Sequence, residues 1–387
     1  MTDKPLPLTF PSFDEREIAL LRECLDTLWV TQGPLVERFE AQIAGLHDAR
    51  HALSTTSCTS ALHLAMLGLG VGPGDEVIVP AFTWVTSASC AEYVGARPVF
   101  VDVDPVTFNL DLDKLAGAIS ARTRAIVAVH LFGLAVDIDA IRAAIGDREI
   151  FIVEDAACAI GTTLRGRPVG ALGDCGCFSF HPRKVVTTGE GGMVTTNDAA
   201  LAERVASLRN HGATGIDANN PEEPGPWTMA TFNRLGFNLR MSDIQAAVGL
   251  AQLEKFPALL AERRARAARY NALLGACGGL QVPDHGAASG HAYQSYVVRL
   301  QTGDRARRNA VMKQLAQAGI STRPGTHAVP VLGYYRDKYG YRREDFPLAV
   351  GCEDSTITLP LFPGMTDADQ DRVVEALLIA LGQGSAA

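Results

Sequence analysis

Six lysines stand among the 35 Lys and Arg residues of this chain, so each can be judged by its place. Lys4 lies in the N-terminal stretch. Lys114, Lys255 and Lys313 fall on helical patterns at positions expected to face water, and Lys338 falls in a tyrosine-rich loop. Lys184 differs from these. It follows the apolar run Cys177-Phe178-Ser179-Phe180, which reads as a strand, and precedes the glycine-rich turn Thr187-Thr188-Gly189-Glu190-Gly191-Gly192. An amine beside a buried sheet is partly desolvated, which favours the neutral form. The neutral form is the nucleophile that makes Schiff bases with carbonyls. The plain alternative is a surface lysine in a loop.

Three other features bear on the same chemistry. Glu149 to Val153 reads as a strand that ends in Glu154-Asp155. An acid there would point into a ligand crevice. Pyridoxal phosphate needs such a carboxylate against its ring nitrogen, which keeps the ring an electron sink. Asp155 would equally serve as a helix N-cap. Ser54 to Ser60 carries a hydroxyl at every position but Cys58, at the start of a helix running to Leu69. Hydroxyls and free N–H groups at a helix start bind phosphate, although plain caps look the same. Trp84 lies just past the strand Glu76 to Val79, where an aromatic side chain either stacks on a bound ring or packs in the core. The glycines at 68, 70, 72 and 74 follow a helix and precede a strand, the reverse of a dinucleotide fingerprint, and read as a turn.

These residues need elements to hold them. Phe13 to Leu28 and Pro34 to Leu46 have helical apolar spacing. Short β-branched runs follow at 76–79, 98–103, 125–130, 149–153, 176–180 and 192–196, with helical stretches such as 59–69, 83–93 and 112–119 between most of them. Strands alternating with helices predict an α/β fold, with a mostly parallel sheet covered on both faces and ligands at the strands' carboxyl ends. Ser242 to Asn271 is the longest helical pattern, with Pro257 inside it. Beyond Cys277 the pattern suggests a smaller α+β domain: strands at 291–300 and 356–359, helices at 306–319 and 367–381, and a frayed tail from Gly382 to Ala387. The expected division is 1–275 for the large domain and 276–387 for the small one.

The bulk numbers agree. With 387 residues, 47% of them apolar, the chain can bury a large core. Its net charge is -8, and the cluster Arg263-Arg264-Ala265-Arg266 reads as one helix face, so nucleic-acid binding is not expected. The eight cysteines lack metal-ligand spacing and read as free thiols in a reducing cytoplasm, and no metal is expected. No signal core or membrane-spanning run is visible.

The stretch Phe178-Ser179-Phe180-His181-Pro182-Arg183-Lys184, continued by Thr187 to Met193, resembles the lysine motif of the DegT/DnrJ/StrS family. These are pyridoxal-phosphate-dependent aminotransferases acting on keto sugars, usually nucleotide-linked. Trp29 to Pro34, Gly74 to Pro80, Val129 to Gly133, Glu154 to Ala157, Leu208 to Gly212, Gly236 to Asp243 and Leu359 to Leu361 resemble further family motifs, in the right order over nearly the whole chain. The resemblance implies the type I aminotransferase fold. It makes Lys184 the Schiff-base lysine and proton shuttle, Asp155 the partner of the ring nitrogen and Trp84 the stacking aromatic. Thr59, Ser60 and Ser179 become phosphate ligands. Asn238 would reach the phosphate of a neighbouring subunit, which implies a homodimer with shared active sites. Thr31, His211, Arg240 and His327 are candidates for the substrate rim.

Two positions depart from the family pattern. Cys58 stands where Gly is usual in the phosphate loop. Cys158 stands where Gln or His usually contacts the ring hydroxyl, and a thiol is a weak donor. The expected reaction is a ping-pong transamination with glutamate as donor, converting a keto sugar to an amino sugar. A keto cyclitol is an alternative substrate. A dehydratase of the same fold would replace the lysine by histidine, and a cofactor-binding sensor would show no turnover.

Overall fold

The computed structural model describes residues 4–216, 228–283, 285–286, 289–302 and 304–383. The end of the expected tail, 384–387, lies outside them. Seven strands form the main sheet: β1 (His51–Thr55), β2 (Glu76–Pro80), β3 (Arg97–Val101), β4 (Thr123–Val129), β5 (Phe151–Asp155), β6 (Cys175–Ser179) and β7 (Gly192–Thr196). Their order is β1-β7-β6-β5-β4-β2-β3. The four pairings from β3 to β6 are parallel. The last two are antiparallel and bring β1 and β7 to one edge. The sheet is thus mostly parallel, as the alternation of elements predicts.

Period-two alternation sorts the strand residues onto two faces. Val77, Val79, Ala125, Val127, Val129 and Val153 pack against Leu62, Leu64 and Met66 of the helix Cys58–Gly68. Ile78, Ile126, Ala128 and Ile152 turn the other way, against Leu115 and the isoleucines of the helix Ile138–Ile145. Each fully buried Val or Ile contributes about 1.5–3 kcal/mol, so a sheet covered on both faces is a rigid platform.

The long helix is Asp243–Leu274, opened by a capping box between Ser242 and Gln245. Its first residue also reaches across the chain. The Asp243 carboxylate accepts N–H bonds from Gly33, Leu35 and Val36 at 2.9, 3.2 and 3.0 Å, which caps the helix Pro34–Leu46 and pins the segment carrying Thr31. Two readings need correction here. Lys255 is buried, 2.5 Å from Glu17, because this part of the helix packs under the helix Glu15–Asp26. Arg263 is buried too. Its guanidinium donates to the carbonyls of Tyr293, Gln294 and Leu361, and burial pulls it down to about 10.

A second, antiparallel sheet joins Leu280–Gln281, Tyr296–Leu300 and Thr356–Leu359. Tyr296, Val298 and Ile357 share a core with Val311, Leu315 and Leu377 of the helices Arg305–Gln317 and Asp367–Leu381, and with Tyr270 and Leu274. The strand expected from His291 begins only at Tyr296. Residues 291–295 instead run past Gly133, where a Cβ would meet the backbone N of Tyr293 and Gln294 at 3.1 Å.

Candidate active site

The carboxyl ends of β4, β5 and β6 open into a cavity of about 270 Å³. Lys184, Asp155, Cys58, Thr59, Trp84, Cys158 and Ser179 all line it. The loop carrying Lys184 is tied on both sides. Phe180 N–H donates to Gly191 O at 2.9 Å, Thr188 N–H to Phe180 O at 3.0 Å, and Lys184 N–H to His181 O at 2.8 Å. Val185 and Val186 are buried beside it. This anchoring leaves the lysine side chain in the cavity, with Nζ 3.1 Å from the Cys158 thiol.

Asp155 closes β5 rather than following it, and is 5% exposed. Ser87 Oγ donates to its Oδ2 at 2.7 Å, and Ala157 N–H donates to Oδ1 at 3.2 Å. Residues 156–160 form turns and no helix, so the N-cap reading is set aside. Glu154 points to the other face, as alternation requires. There it accepts from His130 Nε2 at 2.9 Å and from the N–H groups of Gly170, Leu172 and Gly173 at 2.7, 2.8 and 2.6 Å. Those donors hold its carboxyl below the usual range although burial pushes it up.

At the start of the helix Cys58–Gly68 the cap is Ser57, whose Oγ accepts from Ser60 N–H at 3.1 Å. The Ser60 hydroxyl is occupied by Thr56 Oγ1 and Ser57 Oγ at 2.8 and 3.0 Å, and Ser60 does not line the cavity. Ser57, Cys58 and Thr59 do, opposite Ser179. Burial, helped by the charge of Asp155, holds the Cys58 thiol well above its ordinary range, so it adds no charge there. Gly192 lets β7 lie directly against this turn: a Cβ on it would stand 2.3 Å from the Ser57 carbonyl carbon.

Trp84 is 53% exposed and separates this cavity from a second one of about 300 Å³. His327 lines the second cavity, its ring 5.6 Å from the Trp84 ring and its Nδ1 3.7 Å from Glu353. Thr31, His211, Arg240 and Asn238 do not line the Lys184 cavity. Thr31 O accepts from Asp243 N–H, His211 N–H donates to Phe237 O, and Arg240 donates to Asn210, which bridges to Asn238. Leu28 and Trp29, just before Thr31 in the chain, and Leu235 and Phe237, just before Asn238, are exposed. Sequence reasoning missed Ser87 and Arg323. Ser87 lies 68 residues from its partner Asp155, and only the packing of the helix Thr86–Tyr93 over the sheet joins them.

The residues fit a phosphorylated pyridine carbonyl. The cavity supplies an amine, a carboxylate, an aromatic wall and a hydroxyl-bearing helix start. The chain matches the family model of the DegT/DnrJ/EryC1/StrS aminotransferases over residues 11–378. It belongs to that family. It is 41% identical over 380 residues to a GDP-perosamine synthase of Caulobacter vibrioides, covering 97% of this chain and 99% of the relative. It is 37% identical to a spore coat polysaccharide biosynthesis protein of Bacillus subtilis, with 96% of each covered. Among solved structures, a Streptococcus pneumoniae protein described as a sugar aminotransferase, in its PMP form, superposes with a TM-score of 0.92 at 30% identity, covering 98% of this chain and 99% of that one. The aminotransferase TlmJ of Streptoalloteichus hindustanus gives 0.89 at 32%, covering 97% and 99%. The chain therefore has the type I aminotransferase fold, and it is a pyridoxal-phosphate-dependent transaminase. Among its described residues no helix is long and apolar enough to cross a membrane.

Proposed function

We propose that this aminotransferase converts a keto group on a nucleotide-linked sugar to an amine, with glutamate as the donor. The observation that carries the proposal is one cavity holding Lys184 Nζ, the Asp155 carboxylate and the helix start at Ser57. The sugar-specific relatives, aligned over nearly their full length, support the substrate class. Pyridoxal phosphate supplies an electron sink when bound. Asp155, held by Ser87 and the Ala157 amide, keeps the ring nitrogen protonated. Thr59, Ser179 and the free N–H groups at the helix start hold the phosphate. Trp84 covers the ring. Lys184 would hold the cofactor through its Nζ, and the same amine is placed to move a proton at the carbon that gains or loses nitrogen. Cys158 stands beside that amine and takes the place of the usual contact to the ring hydroxyl.

The surface of Thr31, His211, Asn238 and Arg240 fits a homodimer contact in which each subunit completes its partner's site. The exposure of Leu28 at 88% and Leu235 at 91% supports that reading. The division at 275/276 and a cytoplasmic location complete the proposal. Incubating the enzyme with glutamate and a panel of nucleotide-linked keto sugars, with products read by mass spectrometry, tests it. An amino sugar nucleotide is expected. Amination of a keto cyclitol alone would overturn the substrate class.

A further inference from the structure

The cavity wall carries a guanidinium that the chemistry above leaves unused. Arg323 is half-buried and lines the same cavity as Lys184. Its backbone is stitched in place: Thr358 N–H donates to Arg323 O at 2.7 Å, Gly325 N–H to Thr356 Oγ1 at 3.2 Å, and Thr326 Oγ1 to Thr83 O at 2.9 Å. The side chain donates to Gly325 O at 3.2 Å, and no ion pair joins it to a carboxylate among the described residues. Its neighbours are otherwise served. Arg305 and Arg343 pair with Glu353 and Asp354, and Arg308 donates to Glu353 O. Arg183 also lines the cavity, and with burial it pulls the Arg323 guanidinium below its ordinary range. The carboxylates on this wall are Asp155, already engaged with Ser87, and Glu190, exposed at the rim.

A cation held away from water without an anionic partner is costly, and a guanidinium fork matches a carboxylate in two parallel hydrogen bonds. Resting on the function proposed above, the two substrates differ in this respect. An amino acid donor carries a carboxylate on the very carbon at which Lys184 moves a proton. A keto sugar carries none there. We infer that Arg323 anchors the α-carboxylate of the amino acid donor, with Arg183 adding positive charge. The diphosphate of the sugar substrate is the competing anion. Arg305 and Arg308, which line the outer cavity and not the Lys184 cavity, are better placed for that.

The test compares wild type with Arg323→Gln and Arg323→Lys in the two half-reactions separately. Glutamate is followed by the cofactor's visible spectrum, and the keto sugar nucleotide is added to enzyme loaded with pyridoxamine phosphate. Succinate binding to the holoenzyme, read as a spectral shift, reports carboxylate affinity without turnover. Losing a two-point charged pair should raise the glutamate KM of Arg323→Gln and weaken succinate about 10- to 100-fold, with partial recovery in Arg323→Lys. The keto sugar half should stay within about twofold of wild type, since it lacks that pair. Unchanged glutamate and succinate affinities would overturn the anchor while leaving the aminotransferase reading intact. A loss confined to the sugar half would assign Arg323 to the diphosphate instead. If no keto sugar nucleotide reacts but succinate binding still depends on Arg323, the anchor stands and the sugar reading falls.

Discussion

Replacing Gly192 by alanine should damage cofactor binding more than its one methyl group suggests. The new Cβ would lie 2.3 Å from the Ser57 carbonyl carbon, 2.4 Å from its oxygen and 2.6 Å from Cys58 N, where ordinary contact begins near 3.4 Å. All three are backbone atoms, so no side chain can swing aside. Relief requires a shift of about 1 Å in β7 or in the first turn of the helix Cys58–Gly68. Overpacking of this kind costs about 1–3 kcal/mol of stability. The same shift moves the N–H groups and hydroxyls proposed to hold the phosphate. A charged hydrogen bond contributes about 1.5–3 kcal/mol, so losing one weakens the cofactor Kd about 10- to 100-fold. Titrating apoenzyme with pyridoxal phosphate by fluorescence, alongside urea unfolding, separates the two effects. Gly72→Ala is the control, because nothing lies within 4 Å of its Cβ. A Gly192→Ala variant with wild-type Kd would refute the account of the phosphate turn.

Glu154→Gln should cost about 3–5 kcal/mol in urea unfolding, since it replaces a buried acceptor of four donors by a group that itself donates; a loss below about 1 kcal/mol would contradict this. Ser87→Ala should reduce turnover about tenfold with little change in cofactor Kd, because it removes the 2.7 Å bond that holds Asp155 but touches no phosphate ligand; steady-state kinetics and titration check it. Burial pulls His47 down to about 4 and His291 to about 3. Both rings stay neutral in the fold and take a proton on unfolding below about pH 6.5. Their stability is therefore fully present above that pH and falls as pH drops, by about 1.4 kcal/mol per pH unit for each ring. Burial lowers His63 and His181 as well, so they add to the same fall; a flat denaturation profile between about pH 6.5 and 5, above the ordinary carboxylate range, would refute the assignment.

Much of the main sheet is legible in the sequence because buried parallel strands read as β-branched runs. The runs at 76–79 and 149–153 fall on parallel strands, the antiparallel run at 192–196 is equally buried and coincides with its strand, and Lys184 lies past a strand end as its neighbours indicate. The edge strand His51–Thr55 is harder to see. It is short and mixed in polarity, and its hydroxyls resemble a loop. Adjacent acids at 154 and 155 look alike in sequence, yet alternation sends one to the cavity and the other to a structural network. Lys255 and Arg263 look solvated on a helix, but the packing of other segments over that helix buries them. Ser87 and Arg323 carry no local signal at all. Their roles arise from segments brought together across 68 residues in one case and from the wall of a shared cavity in the other.

The central claim is that Lys184 holds the cofactor. Reducing the holoenzyme with borohydride and mapping the peptides by mass spectrometry tests it most directly. The account predicts a phosphopyridoxyl group on Lys184 and loss of the visible band in Lys184→Ala. Modification of a different lysine, or a Lys184→Ala variant that keeps the band, would contradict it.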